Sequence, residues 1–116
     1  MNAQLAKQLL EPIAKKDFLE RLYTDKFSKC CGIGHLVRLT SLDPNNFSLT
    51  CSDFMSGGRV REFVRGEVSN FLLKAHGEIG DLSTVNNGTS INRYTQDNPK
   101  DRIIALLDDM IAEQNK

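Results

Sequence analysis

Residues 60–75, VREFVRGEVSNFLLKA, decide the fold. Val60, Phe63, Val64, Val68, Phe71, Leu72 and Ala75 recur at i, i+3, i+4 and their repeats, which places them on one side of an α-helix. Arg59, Arg61, Arg65 and Lys74 decorate the other faces. The stripe predicts a helix from Arg59 to Ala75, and Gly77 is a natural stop because glycine readily takes the left-handed conformation that closes helices. An apolar stripe of this length must be buried against other elements, so the rest of the chain is read for its partners.

The strongest partner is the C-terminal segment from Pro99 to Glu113. Asn98 is placed to cap it, Pro99 suits its first position, and Asp101 favours its positive end. Ile103, Leu106, Leu107, Met110 and Ile111 form its inward side, while Asp108, Asp109 and Glu113 read as its outer side. Upstream, Leu5, Leu9 and Leu10 lie on one face of a short first helix from Ala3 to Leu10, interrupted by Pro12. Asp17 with Glu20 resembles a capping box, predicting a second short helix that uses Phe18, Leu19, Leu22 and Tyr23 and ends near Thr24. Cys31, Ile33, Leu36, Val37 and Thr40 predict a third helix despite Gly32 and Gly34. Residues 41–58 read as loop, in which Phe47, Leu49 and Cys51 alternate like a short strand. Asn87-Gly88 reads as a tight turn between Val85 and Ile91, leaving room for one hairpin. The expected architecture is mainly α: one domain, 1–116, forming a bundle of about five helices with at most one short β-hairpin.

Composition narrows the function classes. Hydrophobic residues make up 40% and charged residues 26%, ordinary for a chain that folds by itself. Fifteen basic residues balance fifteen acidic ones, so no overall field draws the protein to nucleic acid or an anionic membrane. There is neither a secretory signal pattern nor a stretch of membrane-span length, and three cysteines cannot complete a disulfide framework within one chain. Free thiols and a cytoplasmic location are expected.

The most unusual segment is residues 29–36, KCCGIGHL. A cysteine at a helix N-terminus has its thiolate favoured by the helix dipole and free amides, so Cys31 is a candidate nucleophile, with His76 as base and Asn86 or Asn87 as orienting group. The plainer reading is a small buried Cys31, glycines that let another backbone approach, and a His76 that caps a helix end. Gly32, Gly34, Arg59, Arg61 and Arg65 are candidate contacts for an anionic ligand such as a nucleotide signal, although Glu62 and Glu67 interrupt the arginines and a solvated helix face also accounts for them. Cys30, Cys31, His35, Cys51 and His76 do not have the paired spacing of a zinc site, so no metal or other cofactor is expected.

Cys31, Gly34 and Leu36 form a Cys-x-x-Gly-x-Leu segment, and residues 85–88, VNNG, are followed by the helix from Pro99 to Glu113. Together they resemble a pattern in small bacterial and phage proteins that includes the DUF6197 family, in which such a segment precedes an Asn-Asp dipeptide and an amphipathic C-terminal helix. Asn87 stands where that pattern usually has aspartate. The resemblance implies a phage or mobile-element accessory protein working in the host cytoplasm, and it carries no activity. The expectation is a non-enzymatic interaction protein that binds or inhibits a host protein, such as one of antiviral defence. A homo-oligomer is compatible with it, and a cysteine-dependent hydrolase or transferase using Cys31 is the alternative, with a nucleotide-binding protein as the third reading.

Overall fold

The computed structural model describes residues 1–20, 31–40, 58–88 and 93–116. These contain five helices and no strand. Helix α1 spans Ala3–Leu10, α2 spans Gly32–Thr40, and α3 runs unbroken through residues 58–76 as Gly58–Arg61, Glu62–Glu67 and Val68–His76. Helix α4 spans Leu82–Asn87 and α5 spans Pro99–Gln114. No described helix is long and apolar enough to cross a membrane.

The central segment of α3, Glu62–Glu67, is π-helical, and the Val68 amide donates to the Phe63 carbonyl. A wider turn advances each residue by less than the roughly 100° of an α-helix, so side chains four apart stay in line. Val60, Val64, Val68 and Leu72 are accordingly all buried, whereas Phe71 is only half-buried and Ala75 is exposed. The predicted stripe therefore enters the core but leaves it at its C-terminal end. Gly77 then closes α3 at φ 66°.

Helix α5 is the hub. It packs against α1, α2, α4 and the turn after α1, and buries Ile103, Leu106, Leu107 and Met110. Burial of each such side chain stabilises the fold by about 1.5–3 kcal/mol. The Asn98 side chain accepts from the Asp101 amide at 2.9 Å, and Pro99 occupies the first turn, as its sequence predicts. Lys100 donates to the carbonyls of Glu11 and Ile13, tying the end of α1 to the start of α5.

Three expectations are corrected. In α1 the fully buried residues are Ala3, Ala6 and Leu10, whereas Leu5 is exposed; small side chains let this helix approach the others closely. The helix expected to open at Asp17 does not start there. Lys15–Asp17 is one 3-10 turn, and Phe18 leaves it extended, at φ −98° and ψ 122°, with its ring 4.8 Å from that of His35. Glu20, the other half of the supposed capping box, instead meets Arg102 at 2.8 Å. Finally, Asn87-Gly88 does not turn a hairpin. Asp81 caps α4 through the Ser83 and Thr84 amides, Thr84 returns a bond to the Asp81 amide, and Gly88 closes the helix at φ 66°. The remainder of the expected second helix, the alternating segment at Phe47, Leu49 and Cys51, and Ile91 lie outside the described residues.

Candidate functional site

The two short motifs, far apart in sequence, meet in space. Asn86 is 1% exposed, and its Oδ1 accepts from the Gly32 amide at 2.8 Å, directly at the start of α2. Its Nδ2 donates to the Leu19 carbonyl and to Asn87 Oδ1, both at 3.0 Å. A Cβ at Gly32 would lie 2.3 Å from Ile103 Cδ1, so any larger residue there would make the tip of the buried Ile103 side chain shift.

Arg102 closes the other side of this node. Its Nε donates to the Val85 carbonyl, Nη1 to Gln96, and Nη2 to both the Asn86 carbonyl and Glu20 Oε1. The guanidinium thus supplies a donor to the Asn86 carbonyl at the end of α4 and a second one to the Val85 carbonyl, which also accepts from the Gly88 amide. His35, fully buried, donates from Nε2 to the Asp17 carbonyl at 2.8 Å. The buried side chains Asn86, Arg102 and His35 are each engaged with backbone groups.

The candidate nucleophile sits beside this node. Cys31 is 5% exposed, and the Gly34 amide donates to its Sγ at 3.4 Å. Burial pushes the Cys31 thiol up from its ordinary range, outweighing the amides of the helix start, which pull it down. The candidate base has other partners: His76 Nε2 donates to the Tyr94 hydroxyl at 3.1 Å, and Tyr94 donates to Asp109 at 2.9 Å. Because Asp109 only accepts, the Tyr94 oxygen must accept from His76, which fixes the proton of neutral His76 on Nε2. Asn86 and Asn87 adjoin the start of α2, whereas His76 hydrogen-bonds in the neighbourhood of Tyr94. The Gly32 and Gly34 amides, candidates for anion contacts, already donate to Asn86 and Cys31. Arg61 and Arg65 are exposed on α3. The side chain of Arg59, together with Cys30 and Cys51, is outside the described residues, among which no three metal-ligating side chains are grouped.

The thiol has a measurable signature. With Cys30 and Cys51 replaced by serine, Cys31 in the folded protein should alkylate with iodoacetamide at neutral pH at least about a hundredfold more slowly than in urea. Its raised pKa also sets a sign: above about pH 8.5 the unfolded thiol ionises while the folded one keeps its proton, so stability falls as pH rises. Cys31→Ala should flatten that alkaline slope in urea melts, and fast native alkylation would contradict the buried-thiol account.

What remains open to a partner lies on the surface. Leu73 is 57% and Ile79 is 87% exposed, and both line a groove of about 320 Å³ between the end of α3 and the start of α4. Glu78 and Asp81 give the groove an acidic edge, and Glu78 Oε2 is buried with no hydrogen-bond partner among the described residues. The sequence signal for this surface was the isolated Ile79 in an otherwise polar connection, which periodicity does not weigh. No family model, no curated protein and no solved structure matches this chain.

Proposed function

We propose that the chain is a non-enzymatic interaction protein: a phage-type accessory factor that binds or inhibits a host protein, one of antiviral defence in the sharpest form of the reading. The supporting observation is the groove bearing Leu73 and Ile79. Single exposed apolar residues are ordinary, but two on one groove beside a carboxylate oxygen without a donor form an anchor point of the kind protein interfaces use. The acidic edge selects a partner segment in which a basic residue flanks apolar side chains. The hydrolase alternative has the burial of Cys31 against it.

Capture from bacterial lysate by wild type and by Ile79→Arg tests the reading. A host protein held by wild type should be lost by about thirtyfold or more in the variant, since a central apolar anchor contributes about 2 kcal/mol or more. The melting temperature should stay within about 2 °C, because Ile79 is surface-exposed. Equal capture by both proteins would overturn the groove assignment, and loss of self-association alone in the variant would replace the host partner with a second copy.

A further inference from the structure

A second concavity, of about 500 Å³, opens between the C-terminal ends of α3 and α5. Its apolar wall comprises Phe71, Ala75 and Ala112. This is where the predicted stripe of α3 leaves the core, so the half-buried Phe71, in T-shaped contact with the His76 ring, lines the cleft. The size is within the range of small-molecule sites.

The charges of this cleft are unequal in their commitments. Glu113 is paired with Lys116 at 3.2 Å, and Asp109 accepts the Tyr94 hydroxyl. Lys74 and Arg93, which also line the cleft, have no ion pair among the described residues. Asp109 keeps its negative charge, so with Glu113 and Lys116 paired, Lys74 and Arg93 against Asp109 leave the lining with a net positive charge. Behind it, the hydrogen-bonded series His76, Tyr94, Asp109 joins both helices to the segment carrying Arg93, and Tyr94 is 3% exposed. That anchorage fixes the backbone next to Arg93, whose exposed side chain lines the cleft.

We propose that this cleft binds a small aromatic anion, its ring against Phe71 and its acidic group on Lys74 and Arg93. The shared chemistry is a planar ring carrying a phosphate or a carboxylate, which guanidinium and ammonium groups both recognise. This assignment is independent of the protein-binding groove, which uses different residues.

The test is an NMR titration of the full chain at low salt with two probes, adenosine monophosphate and indole-3-acetate, and with adenosine and inorganic phosphate as half-probes. At least one of the two probes should bind with shifts centred on Phe71, Lys74 and Ala75, and the tighter one assigns phosphate or carboxylate. Each half-probe should bind it at least about tenfold more weakly than the parent probe. Lys74→Gln/Arg93→Gln should weaken binding at least about tenfold, whereas Arg61→Gln/Arg65→Gln, which removes the same net charge elsewhere, should leave it unchanged. Binding of neither probe, equal binding to the Lys74→Gln/Arg93→Gln variant, or phosphate binding as tightly as its aromatic ester would each overturn the proposal.

Discussion

Arg102→Ala should destabilise the fold by about 4 kcal/mol, the largest effect expected of any single polar substitution here. The side chain is 7% exposed and supplies donors to three backbone carbonyls, those of Val85, Asn86 and Gln96. Removing it takes the buried Asn86 carbonyl's donor away, at a cost of about 1–3 kcal/mol. It also removes the bonds to Val85, whose carbonyl keeps the Gly88 amide, and to Gln96, together with the packing of a buried side chain. Its ion pair with Glu20 adds little, since that partner is half exposed. Arg102→Lys should recover less than half of the loss, because an ammonium is a single point of donation whereas the guanidinium fork reaches carbonyls on several sides. Glu20→Gln should cost under about 1 kcal/mol. Urea unfolding of the three variants separates these contributions by midpoint at constant slope. Comparable losses for Glu20→Gln and Arg102→Ala would show that the ion pair, and not the carbonyl contacts, carries the effect.

Asn86→Ala should cost about 3 kcal/mol, for the complementary reason. Both ends of its amide are used: Oδ1 receives the buried Gly32 amide, and Nδ2 serves the Leu19 carbonyl. Asn86→Asp keeps the first bond and loses the second, setting a carboxylate oxygen toward a carbonyl, so it should be no milder than alanine at neutral pH. Asn87 behaves differently. Its Oδ1 is an acceptor for Asn86 Nδ2, a role that an aspartate carboxylate also performs. Asn87→Asp should thus keep the acceptor for Asn86 Nδ2, and it should be milder than Asn86→Ala in the same urea melts.

Legibility in the sequence follows how local each signal is. Helix α5 was readable end to end because Asn98, Pro99 and the Ile103–Leu106–Leu107–Met110 spacing all point the same way, and each acts within one or two turns. The α3 stripe was readable, but its π-helical segment was not, so Phe71 and Ala75 were assigned to the core and not to a cleft. Helix α4 was missed because six residues carry only two buried apolar positions, Leu82 and Val85. Asn87-Gly88 misleads there for a specific reason: a hairpin turn and a helix C-terminus both require positive φ, and glycine serves either.

The candidate site was half legible. That Cys31 stands at a helix start followed from the spacing, but its burial depends on core residues brought in from elsewhere. Asp17 and Glu20 formed a plausible local capping pair until Arg102, 82 residues from Glu20, offered a stronger partner. The meeting of Asn86 with Gly32 spans 54 residues and left no local trace at all, although both belong to the segments that stood out as motifs. Their pairing gives those motifs an architectural meaning: one amide side chain fastens the start of α2 to the end of α4.

That claim is tested most directly by hydrogen exchange of the Gly32 amide in uniformly labelled protein. An amide at the first turn of a helix ordinarily faces water or a ligand and exchanges quickly. The buried bond to Asn86 predicts exchange only through global unfolding, with protection close to that of core amides in α5, and collapse of that protection in Asn86→Ala. Fast exchange in wild type, under conditions where α5 remains protected, would mean that the helix start is open, and would contradict the reading of these motifs as scaffold.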